Sequence, residues 1–172
     1  MKIAIIGTGY VGLVSGACFS EFGFDVTCID NDAEKIARID DGLMPIYEPG
    51  LEDLVERNVA GNRLHFSTEI GPAVAAADVV FIAVGTPARR GDGHADLTYV
   101  YAVAEEIATH LTGYTVVITK STVPVGTGRE VSAIIRKANA NADFGVASNP
   151  EFLREGAAIG DFMRPDRVVV GA

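Results

Sequence analysis

The chain has no tryptophan, only two cysteines and only three histidines in 172 residues. Two cysteines are too few for a disulfide-stapled scaffold or a cysteine-ligated zinc module. No pair among His65, His94 and His110 has the spacing of metal ligands, so no metal is expected. Cations are scarce as well: 14 Lys+Arg face 23 Asp+Glu, a formal charge of −9. That balance excludes capture of nucleic acid or of an anionic membrane by a broad basic surface. Any anionic ligand has to be held by backbone donors or by a few placed cations. A long uniform hydrophobic run is also missing. Ile3 to Ser20 carry no charge, but Gly7, Gly9, Gly12 and Gly16 interrupt them, and the stretch divides into an apolar strand, a turn and a helix start. It is not read as a signal peptide or a membrane span, and the expected location is cytoplasmic.

What the chain has is glycine, 19 residues of it, with 48% hydrophobic and 22% charged residues, an ordinary globular balance. The length suits one α/β domain. Short β-branched runs at residues 2–6, 25–29, 64–67, 78–84, 115–119, 144–147 and 167–170 read as strands. Helical stretches are expected from the glycine turn to about Phe22, and at residues 33–41, 50–59, 72–77, 98–111 and 128–139. Residues 85–95, with Pro87, Arg89 and Arg90, read as a loop. Strands alternating with helices of this length predict right-handed βαβ units and an α/β, Rossmann-like, doubly wound and mostly parallel sheet with helices on both faces.

Gly7-Thr8-Gly9-Tyr10-Val11-Gly12 fits G-x-G-x-x-G. It follows an apolar run and opens a helix, and Asp30 ends the next strand eighteen residues after Gly12. Together these make the dinucleotide fingerprint. Gly7 permits the tight turn, Gly9 lets the backbone approach a pyrophosphate, and Gly12 lets helix and strand pack closely. Unpaired N–H groups at a helix start hold the anion without a basic surface. Asp30 would accept from the adenosine ribose hydroxyls and repel a 2′-phosphate, which favours NAD over NADP. The alternative is that Asp30 only caps the next helix. Lys35 can reach the ribose or a phosphate, or can be a solvated lysine on a helix face.

Ligands of an open parallel sheet bind beyond the carboxyl ends of its strands. Three loops there stand out: Val84-Gly85-Thr86-Pro87, Lys120-Ser121-Thr122-Val123-Pro124, and Ser148-Asn149-Pro150-Glu151-Phe152-Leu153-Arg154-Glu155-Gly156. In the first two a hydroxyl residue stands close before a proline, where extended backbone offers polar groups to a ligand, although ordinary turn chemistry accounts for any one of them. KIAIIGTGYVGLV at the start, PIYEPGL at 45–51, VGTP at 84–87, KSTVPVGTG at 120–128 and NPEFLREG at 149–156 run through essentially the whole chain. With these strings the sequence resembles the UDP-glucose/GDP-mannose dehydrogenase family.

The resemblance implies a two-step, four-electron oxidation of a nucleotide sugar's C6 alcohol to a carboxylate with two NAD. UDP-glucose is the expected substrate and GDP-mannose the alternative; a stand-alone NAD-binding module without chemistry is a further one. By the resemblance, Glu151 falls on the acid/base glutamate and Thr122 on the hydroxyl that holds a catalytic water. Cofactor contacts fall on Gly7, Gly9, Tyr10, Val11, Gly12, Asp30, Lys35, Thr86, Thr122 and Glu155, and the sugar-nucleotide site on Glu151, Phe152, Leu153, Arg154 and Glu155. A carboxylate beside an apolar Phe-Leu pair would have its charged form disfavoured, which suits proton exchange near neutral pH. Taken without the resemblance, Glu151 reads equally as a helix cap or surface carboxylate.

An aldehyde-to-acid step calls for a covalent or hydrated intermediate, and a reactive cysteine should be partly exposed in an electropositive setting. Cys18 lies mid-helix among apolar neighbours and Cys28 within a strand, so both read as small buried hydrophobes. The resemblance puts the nucleophilic cysteine and its partner lysine beyond a long helix in sequence not present here. A strand at 167–170 with no helix to cover it points the same way. Residues 1–172 are therefore expected to be the N-terminal NAD-binding domain of a larger enzyme, inactive alone, with a central helix and a C-terminal UDP-sugar domain outside this chain and a homodimer as the full-length assembly.

Overall fold

In the run KIAII at Lys2–Ile6 (β1), successive side chains point to opposite sides. Ile3 and Ile5 enter one apolar cluster, Ala4 and Ile6 another. Both faces are therefore covered, and the strand is central. The computed structural model describes residues 1–89, 91 and 93–172. After β1 come α1 (Tyr10–Glu21), β2 (Asp25–Ile29), α2 (Ala33–Asp40), α3 (Leu51–Ala60), β3 (Leu64–Ser67), α4 (Ile70–Ala76) and β4 (Val79–Ile82). The second half adds α5 (Thr98–His110), β5 (Thr115–Thr119), α6 (Thr127–Ala138), β6 (Phe144–Ser148) and α7 (Ala158–Met163).

The six strands are all parallel, in the order β3-β2-β1-β4-β5-β6. The order reverses between β1 and β4, the point where doubly wound sheets open a crevice at their carboxyl ends. On one face α1, α3 and α7 bury Leu13, Val14, Leu51, Leu54 and Ala158 against Ile3, Ile5 and Phe81. On the other, α4, α5 and α6 bury Val74, Val100, Ile107, Val131 and Ile135 against Ala4, Ile6, Val80 and Val117. The Rossmann-like, doubly wound α/β expectation holds.

Two local expectations are corrected. Residues 167–170 are not a strand. One antiparallel bridge joins Gly171 to Ser148, through N–H···O contacts of 2.7 and 2.8 Å, while Val168, Val169 and Val170 are exposed. A run of β-branched residues shows propensity for a strand, but a strand also needs a neighbour along its length, and composition does not reveal one. With no strand at 167–170, no covering helix is called for there. The second correction is α7, which the sequence reading did not predict; it is six residues long with Gly160 inside it, so its propensity signal is weak. The expected loop at 85–95 includes Arg90, which with Asp92 lies outside the described residues; Ala88 and Ala95 within it form an antiparallel bridge.

Candidate functional site: the carboxyl rim of the sheet

Gly7 leaves β1 with φ +106°, a left-handed conformation that L side chains avoid, and its N–H donates to Ile29 O at 2.7 Å. A Cβ on Gly12 would lie 1.8 Å from Gly7 O, so the turn closes on the first coil of α1 only because that position has no side chain. At Gly9 a Cβ would meet nothing within 4 Å. Gly9 is also the N-cap of α1, and no side chain caps the helix there. With no capping side chain and open space over Gly9, the start of α1 has room for an anion where a helix leaves its first amides without intrahelical partners.

Asp30 follows the end of β2 beside this turn. Its Oδ2 accepts from Thr8 N (2.9 Å), Thr8 Oγ1 (2.7 Å) and Lys35 Nζ (2.8 Å), and its Oδ1 from Asp32 N (3.1 Å). Burial works against ionisation of this carboxyl. The hydrogen bonds from Lys35, Thr8 and Asp32 prevail and hold its pKa at about 2. The helix-cap alternative goes to Asp32, which caps α2 through Lys35 N. Lys35 is not a free solvated lysine but the ion partner of Asp30.

The next two loops meet each other. Thr86 Oγ1 donates to Thr122 O at 3.2 Å, and Ser121 Oγ to Val84 O at 2.6 Å. Thr122 is exposed and lines a cavity of about 670 Å³. Glu151 lines the neighbouring cavity of about 700 Å³, and Pro150 forms a wall of both. The rim thus gathers Glu151 and Thr122 without joining them by a hydrogen bond among the described residues. Glu151 accepts from Leu153 N at 2.5 Å.

The apolar surroundings expected for Glu151 are only half there. Leu153 packs on the core, but Phe152 is 56% exposed with the Arg167 guanidinium 5.4 Å from its ring. A Phe-Leu pair in sequence cannot enclose a neighbour when the extended backbone sends one ring to solvent. The Arg154 side chain is taken up by a two-pronged pair with Asp161, at 3.0 and 2.6 Å. Glu155 is exposed, near enough for its charge to act on the Tyr10 hydroxyl. Val11 is half-buried at the start of α1.

Sequence reasoning missed three residues here. Thr8, fully buried, gives Asp30 two donors, although as a variable position of the fingerprint it carries no signal. Lys120, 4% exposed, donates to Asn149 Oδ1 at 3.0 Å and lies 5.3 and 5.9 Å from the Phe162 and Phe81 rings. Burial pulls its pKa down while the Glu151 charge acts the other way. Glu48, in PIYEPGL, is 5% exposed and accepts from Tyr10 OH, Gly156 N and Ala158 N. A charged residue inside an apolar loop string was the available signal for Lys120 and Glu48.

Cys18 and Cys28 are both fully buried, and burial pushes their thiols up to about 12. Among the described residues no three His, Cys, Asp or Glu side chains group as metal ligands, and no helix is long and apolar enough to cross a membrane.

The family model for the UDP-glucose/GDP-mannose dehydrogenase family, NAD binding domain, matches residues 1–172. The chain is 67% identical over 171 residues to a UDP-glucose 6-dehydrogenase of Rhizobium meliloti, covering 99% of this chain and 39% of that protein. To the UDP-glucose 6-dehydrogenase TuaD of Bacillus subtilis it is 56% identical, covering 99% and 37%. Among solved structures, a UDP-glucose dehydrogenase of Pyrobaculum islandicum superposes with TM-score 0.94 at 42% identity, covering 99% of this chain and 40% of that one. A GDP-mannose dehydrogenase of Pseudomonas aeruginosa superposes with TM-score 0.95 at 40% identity, covering 99% and 41%. The chain thus spans about two fifths of the length of these relatives. With the glycine turn, the open helix start and the Asp30 carboxylate in place, the chain belongs to the UDP-glucose/GDP-mannose dehydrogenase family, as its NAD-binding domain.

Proposed function

We propose that these residues supply the cofactor site and part of the sugar-nucleotide site of an NAD-dependent UDP-glucose 6-dehydrogenase. The observation that carries the reading is the pairing of an open helix start at Gly9 with a half-buried, ionised Asp30 next to it. Asp30 accepts the ribose hydroxyls by exchanging Thr8 or Lys35 donors for them, and its charge disfavours a 2′-phosphate. Bound NAD supplies a hydride acceptor. Each of the two oxidations removes a hydride from C6 and a proton from oxygen, and a water brings the second oxygen, hence two NAD per product. In this reading Glu151 takes and returns the protons, Thr122 holds the water, and Tyr10, Val11, Thr86 and Glu155 border the cofactor. Phe152, Leu153 and Arg154 offer backbone and side chains to the sugar nucleotide.

In this reading the covalent nucleophile comes from outside these 172 residues, because Cys18 and Cys28 are both fully buried in the apolar cluster, out of reach of a substrate. The chain covers 39% of the 67% identical relative, which is consistent with further sequence in the complete enzyme; in this reading that sequence holds a central helix, through which the enzyme dimerises, and a C-terminal sugar-nucleotide domain. UDP-glucose is favoured over GDP-mannose by the 67% relative, while the likeness to a GDP-mannose dehydrogenase structure keeps the second substrate in the test.

Titration of the chain with NADH, read by cofactor fluorescence against a protein without tryptophan, tests the reading. Asp30→Ala should weaken binding about a hundredfold or more, the value of two lost charge-assisted hydrogen bonds at about 1.5 kcal/mol or more each. Equal affinity in the variant removes Asp30 from the site. Steady NADH production from UDP-glucose or GDP-mannose by the chain alone would require a nucleophile within it and defeat the two-part reading.

A further inference from the structure

PIYEPGL is the one string of the sequence for which the reaction just described has no task, and it contains a buried carboxylate. Glu48 sits between two parts of the rim that lie far apart in sequence. Its Oε2 accepts from the Tyr10 hydroxyl (2.5 Å) and from Gly156 N (2.8 Å), and its Oε1 accepts from Ala158 N (2.9 Å). Tyr10 is the first residue of α1, where the glycine turn presents its amides. Gly156 and Ala158 bracket the passage from the Arg154–Glu155 segment into α7. Tyr10 OH also reaches Arg154 O at 3.4 Å. Among the described residues no ion pair reaches Glu48: burial opposes its charge, yet the donors from Tyr10, Gly156, Ala158 and Ile159 hold its pKa below the usual value. A carboxylate that takes donors from two distant chain segments, at 5% exposure, has little freedom to let either move independently.

We propose that Glu48 is a positioning residue that couples the start of α1, where the cofactor sits, to the 154–158 segment that borders the sugar nucleotide. Ordering of Tyr10 by bound NAD is passed through one carboxylate to the Gly156 amide, so cofactor occupancy preorganises the second half of the site. The inference rests on the reading that α1 receives NAD and that residues 151–155 belong to the site.

Amide hydrogen exchange at Gly156 and Ala158, followed with and without NADH, tests it on this chain. In the unaltered chain NADH should slow exchange at Gly156. In Glu48→Gln an amide NH₂ replaces one accepting oxygen, so exchange at Gly156 or Ala158 should rise about tenfold without ligand, and the slowing by NADH should vanish. Tyr10→Phe keeps the carboxylate and its backbone bonds. It should leave the ligand-free exchange of both amides within about twofold. With NADH raised until the variant is saturated, as read by cofactor fluorescence, it should abolish the NADH response, which a purely structural role of Glu48 would not do. Should Glu48→Gln fail to fold, Tyr10→Phe decides the matter alone. NADH bound without slowing at Gly156, or slowing that persists in Tyr10→Phe, overturns the coupling and leaves the cofactor reading intact. No NADH binding by the unaltered chain overturns that reading, and the coupling with it.

Discussion

Gly9 and Gly12 both belong to the fingerprint, yet they face opposite constraints. A methyl on Gly12 would be driven into Gly7 O at 1.8 Å, whereas one on Gly9 would enter open space. Gly12→Ala should cost roughly 3 kcal/mol or more in urea unfolding, because backbone on both sides has to move. Gly9→Ala should stay within about 1 kcal/mol of the parent, the usual loss at an N-cap, and weaken NADH about tenfold by filling the space meant for phosphate. Comparable destabilisation in both would show that Gly9, like Gly12, is there for packing and not for a ligand. Asp30 has a similar double character. Its folded pKa of about 2 lies below the unfolded value of about 4, so its contribution is present above pH 4 and lost as pH falls towards 2. That contribution is about 2 kcal/mol. Asp30→Asn should be less stable by about that amount at pH 7 and should lose less stability than the parent on acidification from about pH 4 to 2. Parallel acid profiles for the two would refute the assignment.

At the scale of elements, legibility followed periodicity and failed where context decides. β1, α1 and β2 were readable because an apolar run, three spaced glycines and a terminal aspartate are a local code, and each strand-ending loop could be placed once parallel strands were assumed. The tail at 167–170 was misread for want of knowledge of its neighbours, and α7 because a six-residue helix with a central glycine owes its existence to what it packs on. There Phe162 stands edge-on to Phe19 at 5.0 Å, and Phe19 stacks on Phe81 of β4 at 5.1 Å. Phe162→Ala should lower unfolding stability by about 2–3 kcal/mol, judged by urea titration, since it removes a half-buried ring from a three-ring cluster. A change below about 0.5 kcal/mol would mean that α7 is held by Glu48 and Arg154 alone. The same dependence on context explains why Thr8, Lys120 and Glu48 escaped notice. Each matters through a partner at least 22 residues away, and spacing along a sequence carries no record of such partners.

The whole molecule binds an anion while carrying a formal charge of −9. If the phosphates are held by turn amides and a helix start, added salt screens the overall repulsion more than it weakens the local contacts. NADH affinity should therefore hold steady or rise between about 50 and 300 mM NaCl. A tenfold fall across that range would expose a basic capture surface that the composition does not suggest. The sheet order has one more consequence, concerning time. β1 lies between β2 and β4, and Ile3 aligns with Val79, 76 residues further on. The glycine turn packs against the end of β4, where a Cβ on Gly7 would lie 2.7 Å from Ala83 O. Closing a loop of that length is an entropic debt settled before any contact repays it, so such pairings form slowly. The glycine turn is thus unable to grip a dinucleotide until β4, 76 residues beyond β1, has been made and paired, and during synthesis the cofactor can recruit only chains whose central sheet has already closed.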